Sequence, residues 1–261
     1  MGKETENMKK KLLLFLAVTA TALSGAEVFR AQGRGDWDGR PEVDAEGVFT
    51  ATFPRRLISM KSFKIDPAKT YTISGEFRVQ DCDKLQPFFF GFVPKTADGQ
   101  RISAVNLRQF GKSTLGKVVA DVPAGAKEVV LLDAQNWPSN PKGLFLAVNA
   151  KADKSDLPNM DVVPVRSIKN ENGKTVVTLQ TPLKKALAKD SFIRLHSGGA
   201  SFIYTGKNGG YLSEEWQKFS GTIGAKGQWK WYPGTDNASV VIVGGGNNGI
   251  IQLRNITVTE E

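Results

Sequence analysis

The stretch EEWQKFSGTIGAKGQWKWYPGTDNASVVIVGGGNNGIIQLRNITVTEE, residues 214–261, decides the fold. Its later apolar runs, 238–243 and 249–258, are rich in Val and Ile, and each has the length of a single strand. Residues typical of turns separate them, with Pro233 and Gly234 before the first run and a Gly- and Asn-rich segment, 244–249, after it. The pattern predicts the closing strands of an antiparallel β-sandwich.

The rest of the chain extends this pattern. Short apolar segments recur at about ten-residue spacing, which favours one large all-β domain over a helical fold. The continuous apolar run around Phe88–Phe90 predicts a central strand, with 101–107 as a partner strand, and Asn170–Gly173 predicts a tight hairpin. One short helix is predicted at 182–189, because Leu183 and Leu187 are four residues apart.

Two parts of the sequence resemble the galactose-binding-like jelly roll, the fold of many carbohydrate-binding modules. The first combines Glu215–Phe219 with the final segment Gly249–Ile256, and the second is Phe63–Arg78. The resemblance implies an antiparallel jelly-roll sandwich, and because members of that family are shorter than this chain, we expect long insertions at about 95–200. The strand pattern and the polar, Gly-rich segment 27–47 favour a single domain over 48–261, with a lead-in at 27–47 and at most one or two short helices. The resemblance also implies a carbohydrate-binding function and a buried Trp216.

The N-terminus predicts export. Lys9–Lys11 precede the apolar run 12–20, and Ser24-Gly25-Ala26 fits the small-residue pattern of a cleavage site. We therefore expect residues 1–26 to be a signal peptide, beginning at Met1 or Met8, and the mature chain to be extracellular or periplasmic. The run is short for a membrane span, so an uncleaved anchor is the less favoured alternative and no membrane span is expected after cleavage.

The charge and the cysteine content limit the classes of binding partner that we expect. The net charge is +9, and loss of residues 1–26, with four lysines and two glutamates, leaves +7. A basic surface suits acidic polysaccharides or anionic cell surfaces, although it can equally serve solubility. The basic residues are scattered, so nucleic acid is not an expected partner. Cys82 is the single cysteine and cannot form an internal disulfide. Separately, we expect the protein to be a monomer.

Candidate sugar contacts follow from the chemistry of the ligand. Sugars stack their apolar faces on aromatic rings and form hydrogen bonds to polar side chains, so Trp or Tyr beside Asn, Asp or Arg is the composition to look for. The segment 133–137 has it, and Trp229-Lys-Trp231 places two indoles on one side if the chain is extended. The predicted ligand-binding residues are Asp133, Asn136, Trp137, Arg194, Tyr204, Tyr211, Trp229 and Trp231.

Burial is the alternative for each of these rings. Trp137 could fold over the edge of the sandwich, and Trp229 with Trp231 could cap its core. Strict alternation places Trp216 on the same face as Lys218, whereas the family resemblance points to burial. Trp37 lies in the segment interpreted as a loose lead-in.

The sequence favours a non-catalytic protein. His196 is the only histidine, and no Gly-x-Ser-x-Gly elbow accompanies it, so a strand-end histidine with a hydrogen-bond partner is preferred to a catalytic triad. A polysaccharide hydrolase or lyase with acids within 95–200, or an adhesive module that contacts another protein, are the alternatives. No cofactor is predicted except a structural calcium, which the resemblance implies. Asp44 and Glu46 could bind it, although Arg254-Asn255 stands where relatives carry an acid.

Overall fold

The structure is a computed structural model that describes residues 25–82, 87–112, 114–134, 136–246 and 248–261. It confirms the all-β fold class: the sheets are antiparallel, and within these ranges the helical elements are two short 3₁₀ turns, Arg34–Asp36 and Ala104–Asn106. The strands are β1 (Ala26–Arg30), β2 (Glu42–Val43), β3 (Phe49–Thr52), β4 (Arg55–Ile58), β5 (Phe63–Lys64), β6 (Thr70–Gln80), β7 (Pro87–Lys95), β8 (Leu115–Val118), β9 (Glu128–Leu132), β10 (Leu144–Ala147), β11 (Val162–Glu171), β12 (Lys174–Leu179), β13 (Phe192–Ser197), β14 (Ile203–Tyr211), β15 (Gln217–Gly224), β16 (Asn237–Gly244) and β17 (Ile250–Glu260).

Eleven of these strands form the two sheets of a sandwich. One sheet has the order β15-β6-β17-β3-β2, with β1 also paired to β17. The other has the order β14-β7-β16-β4, with β5 also paired to β16. The predicted closing segment therefore supplies one central strand to each sheet, β16 to the second and β17 to the first.

The sandwich core follows from the two-residue period of its central strands. Along β6, Tyr71, Ile73, Phe77 and Val79 are buried, while the residues between them are part-exposed, apart from the buried Gly75. Phe88, Phe90 and Phe92 project inward from β7, and the ring of Phe77 lies 4.6 Å from that of Phe88 and 4.8 Å from that of Phe90. Side chains on successive strand residues point to opposite faces, so the intervening polar residues of β6 form the outer face of the first sheet.

The region predicted as a long insertion has a compact arrangement of its own. Strands β8 to β13 close into a barrel with the order β10-β11-β12-β9-β8-β13. A separate cluster of buried residues fills the barrel, among them Val129, Leu131, Leu146, Val177 and Leu195. The chain enters the barrel after β7 and returns to the sandwich at β14, which pairs with β7.

The predicted hairpin is present as expected, and a second tight turn lies at 96–99; both contain residues that tolerate positive φ. Asn172 and Gly173 have φ of 50° and 74° and join β11 to β12. At 96–99, Gly99 has φ of 82° and the Thr96 amide donates to the Gln100 carbonyl at 2.9 Å.

Two secondary-structure predictions are wrong. Residues 182–189 form no helix; Leu183 and Leu187 are buried in the barrel core from an irregular segment, and their amides donate to the carbonyls of Ala126 and Val122. Residues 101–107 form no strand beyond a single bridge at Arg101, because the chain turns into the 3₁₀ segment Ala104–Asn106. In both cases tertiary contacts outweigh a weak local pattern.

The interpretation of residues 27–47 as a loose lead-in is also wrong. The segment contains β2 and most of β1, and Trp37 between them is 1% exposed and packs against Phe29 and Phe49 with centroid distances of 6.2 Å in each case. Trp37 therefore belongs to the sandwich core. The predicted signal peptide lies outside the described residues except for its last two positions, Gly25 and Ala26.

Candidate functional site

The outer face of the first sandwich sheet carries an aromatic ring among charged and polar side chains. We call it the Trp216 face and define it by Glu76, Arg78, Trp216, Lys218, Gln252 and Arg254. Its residues come from the three neighbouring strands β15, β6 and β17 and the residue before β15. In the register of these strands, Lys218 is opposite Glu76, and Glu76 is opposite Arg254.

Trp216 is part-exposed and contacts two guanidinium groups. It directly precedes β15, whose first residue, Gln217, pairs with Phe77. The Arg78 Cζ atom lies 4.7 Å from the centroid of the Trp216 ring, and the Arg254 Cζ atom lies 4.2 Å from it. Both distances are in the range of a cation–π interaction, so two positive charges hold the indole on this face.

Hydrogen bonds fix both arginines in place. Arg78 Nε donates to Gln252 Oε1 at 2.7 Å, and Arg254 Nε donates to Glu76 Oε2 at 2.8 Å. Glu76 Oε1 also accepts from Asn255 Nδ2 at 3.2 Å. The hydrogen bonds from Arg254 and Asn255 lower the pKa of Glu76, so its carboxylate is charged at neutral pH. The face is therefore pre-organised in the absence of ligand.

A groove of about 310 Å³ adjoins the Trp216 face, with which it shares Glu76 and Lys218. It is lined by Arg30, Ser74, Gly75, Glu76, Lys218, Asn255 and Thr257. The Ser74 and Thr257 hydroxyls lie 2.9 Å apart in a hydrogen bond at its floor. An open surface with hydroxyl, amide, carboxylate and cationic groups beside an indole can bind a polar ligand that also has an apolar face.

Trp137 is not the exposed ring that its loop predicted. It is 3% exposed and belongs to the core of the barrel, where its backbone amide donates to the Ala134 carbonyl in a turn. Its neighbours Asn136 and Asp133 are exposed, and Asp133 has a positive φ of 60°. The polar residues of the loop face solvent because the ring turns inward, so the expected combination of ring and polar groups is not at the surface.

Trp229 and Trp231 do not form a shared platform. Trp229 is 39% exposed, and its backbone amide donates to the Thr222 carbonyl along the edge of β15. Trp231 packs against the sandwich core, 5.8 Å from the Tyr71 ring and 5.1 Å from the Phe92 ring. Trp229 is the more accessible of the pair, whereas Trp231 is part-exposed and packs against the core.

The two predicted tyrosines differ in exposure. Tyr204 lies among the outward residues of the second sheet, 5.0 Å from the Phe89 ring and 5.8 Å from the Phe202 ring, and burial raises its pKa. Tyr211 is 55% exposed at the end of β14. Tyr204 is thus mainly a packing residue, whereas Tyr211 is accessible.

Arg194 belongs to a buried polar network rather than to a surface site. Its side chain is 2% exposed, and its guanidinium donates to Asp156 Oδ2 at 2.6 Å and to the Lys151 carbonyl at 3.0 Å. Its Nε also donates to His196 Nε2 at 2.9 Å, while His196 Nδ1 donates to the Val105 carbonyl at 2.6 Å. The network ties two connecting segments to β13 of the barrel.

His196 is therefore the strand-end histidine that the sequence favoured. Both ring nitrogens have partners, and burial, together with the nearby Arg194 charge, lowers its pKa below the ordinary value of 6.5. A neutral imidazole that accepts from Arg194 has no free nitrogen with which to act as a base.

This arrangement predicts weaker folding in mild acid. A lowered pKa in the folded state means that His196 contributes stability above pH 6.5, and that this contribution is lost as the pH falls below 6.5 towards the folded pKa. We expect the free energy of unfolding, measured in urea, to fall between pH 7 and 5 by at most about 1.4 kcal/mol per pH unit. A His196→Gln variant should show a flatter profile, since the chain has no other histidine. Equal slopes would contradict the prediction.

Only part of the Trp216 face could be predicted from the sequence. Alternation correctly placed Trp216 with Lys218, and the family-based expectation of a buried ring is wrong in that the ring remains part-exposed. Arg78, Glu76 and Arg254 were not identified, although each alternates with a buried residue in β6 or β17. To predict that these three residues lie together, one would need to know how strands that are distant in the sequence pair in the sheet.

No protein-family model, no curated protein and no solved structure matched this sequence or fold.

Two further expectations concern metals and membranes. Within the described ranges there is no group of three or more His, Cys, Asp or Glu side chains positioned to bind a metal ion. Asp44 Oδ1 accepts from the amides of Glu46 and Val48 in a turn, and the structural calcium stays a prediction. No helix of the described chain is long and apolar enough to cross a membrane.

Proposed function

We propose that this protein is an exported, non-catalytic carbohydrate-binding protein that engages a polysaccharide or cell-surface glycan through the Trp216 face. The contact of a part-exposed indole with two fixed guanidiniums, next to an open groove, is the observation that carries the proposal. The signal-peptide pattern of 1–26 supports export, and the resemblance to galactose-binding-like modules supports sugar as the ligand.

The chemistry of the face suits a sugar. The guanidiniums of Arg78 and Arg254 already lie over the ring, so the C–H face of a pyranose would stack on the part of the indole that remains exposed. Gln252, Asn255 and Lys218 offer hydrogen-bonding groups for hydroxyls. The side chains of Arg78 and Glu76 are already held by hydrogen bonds, so little side-chain entropy is lost when the ligand binds.

The test is the affinity of residues 27–261 for immobilised polysaccharides, measured for the parent chain and for Trp216→Ala. We expect the variant to lose about 2 kcal/mol of binding free energy, roughly thirtyfold in affinity, because a central aromatic contact is removed. Circular dichroism would confirm that the variant remains folded.

Trp229→Ala is the matched control. Trp229 is also an accessible indole, but it lies at the edge of β15 and contacts neither arginine of the Trp216 face within the described chain. We expect its affinity to equal that of the parent. Loss of binding in Trp229→Ala but not in Trp216→Ala would move the site to the originally predicted residues, and binding to no polysaccharide would reject the function.

A further inference from the structure

The charges of the Trp216 face are not balanced. Arg254 is paired with Glu76, and Arg30 at the groove is paired with Glu27. In the part of the chain that the structure describes, neither Arg78 nor Lys218 lies within salt-bridge distance of a carboxylate. Arg78 donates to the neutral amide of Gln252, and Lys218 is exposed on β15. The face therefore combines three cations, Arg78, Lys218 and Arg254, with the one carboxylate of Glu76, which leaves an excess of two positive charges.

Arg78 and Lys218 are placed so that a single ligand could contact both. Arg78 contacts the Trp216 ring. Lys218 follows Trp216 by two residues, which places the two residues roughly 7 Å apart in an extended chain. Lys218 also lines the groove, together with Arg30 and one carboxylate, that of Glu76, which accepts a hydrogen bond from Arg254; Glu214 and Glu215 do not line it. An anionic group on a sugar stacked on Trp216, or on the next sugar, would lie within reach of these cations.

We propose that the ligand is a uronic-acid polysaccharide, whose carboxylates are bound by Arg78 and Lys218 while one sugar ring stacks on Trp216. This inference rests on the proposed function and specifies its substrate class. The planar guanidinium of Arg78 matches a carboxylate, and two free cations suit a polymer with one charge per sugar rather than a densely sulfated one. The face is open at the groove, so an internal segment of a long chain can enter it.

The experiment compares polymers that differ only in charge. Polygalacturonate is the acidic probe, its fully methyl-esterified form is the neutral one, and dextran sulfate with dextran provides the sulfated pair. Affinities are measured by affinity electrophoresis in low and high salt. The parent chain is expected to bind polygalacturonate about tenfold more tightly than the ester, with the difference reduced by salt.

The variant Arg78→Gln plus Lys218→Gln should bind both polymers more weakly, because Arg78 also contacts the indole. The loss should be larger for polygalacturonate, so that its preference over the ester falls from about tenfold to about twofold or less. The control is Arg166→Gln plus Lys169→Gln, which removes two exposed charges from β11 of the barrel and should change neither affinity. Equal losses in both double variants would indicate a general effect of net charge and overturn the proposal.

Other outcomes separate this proposal from the one it rests on. If Trp216→Ala weakens both members of the galacturonate pair while the Arg78 and Lys218 changes weaken neither, carbohydrate binding stands and the acidic specificity fails. Tighter binding of dextran sulfate than of polygalacturonate would overturn the assignment to carboxylates. If the parent chain binds none of the four polymers, both proposals fail.

Discussion

An Asp156→Ala variant is expected to lose about 3–5 kcal/mol of its free energy of unfolding, because it leaves the buried Arg194 guanidinium without its carboxylate. The two side chains are 8% and 2% exposed, and two hydrogen bonds, at 2.6 and 3.2 Å, join them. Burial by itself raises the pKa of Asp156, but the hydrogen bonds from Arg194 and Asn159 outweigh it and lower the pKa. The carboxylate is therefore charged in the folded protein, and its removal leaves the buried Arg194 guanidinium without a counter-charge.

Urea unfolding at pH 7 measures this effect, and Asp161→Ala is its control. Asp161 also forms a salt bridge, with Lys185 at 3.1 Å, but the side chains are 40% and 70% exposed. Solvent screens such a pair, so its loss should cost less than about 1 kcal/mol. Replacing both members of the buried pair, as Asp156→Leu with Arg194→Met, should recover part of the loss, since it removes the unpaired charge but leaves His196 Nε2 and the Lys151 carbonyl without their donor. Similar costs for Asp156→Ala and Asp161→Ala would contradict the role assigned to the network.

Phe90→Ala is expected to lose about 3–5 kcal/mol of unfolding free energy, because it opens a cavity at the centre of the sandwich. The Phe90 side chain is 0% exposed and packs against Phe77. It also fills the space over Gly206, where an added Cβ would lie 2.4 Å from its ring. The surroundings are strands of two hydrogen-bonded sheets, which cannot collapse readily into the vacated volume.

Phe89→Ala tests the same substitution one residue earlier. Phe89 points to the outer face of the second sheet and is only part-buried, against Tyr204. Less surface returns to water when it is truncated, so the cost should be clearly smaller than for Phe90→Ala when both are measured by urea unfolding. Equal costs would mean that β7 does not present alternate residues to the two sides of its sheet.

The sequence predicted the strands well where burial alternates or is continuous. The runs that became β6, β7, β16 and β17 have strong local patterns, and the hairpin at Asn172 and Gly173 is specified by residues that accept positive φ. The closure of residues 115–197 into a barrel was not predicted, because it depends on pairings such as β8 with β13, which are distant in the chain.

The candidate site was less predictable than the fold. Trp137 is surrounded in the sequence by polar residues and prolines, which indicate a loop, but the barrel core that buries its ring comes from other strands. Arg194 looked like a polar residue near a histidine, and its burial depends on Asp156, thirty-eight positions away. The Trp216 face combines residues of β6, β15 and β17, so only the pairing of those strands brings them together.

The place of the barrel within the chain has a consequence for synthesis. When β7 leaves the ribosome, both of its sheet neighbours, β14 and β16, are still untranslated, and residues 96–202 must emerge before the first of them. The barrel strands are contiguous in the chain, so the barrel can complete its fold during translation. The phenylalanines of β7 stay without neighbouring strands until β14 and β16 have been synthesised. At about 5–20 residues per second this delay lasts roughly 5–20 s, and the partners of β6, β15 and β17, emerge later still. Both unpaired strands are therefore exposed to aggregation during synthesis and are expected to benefit from a chaperone.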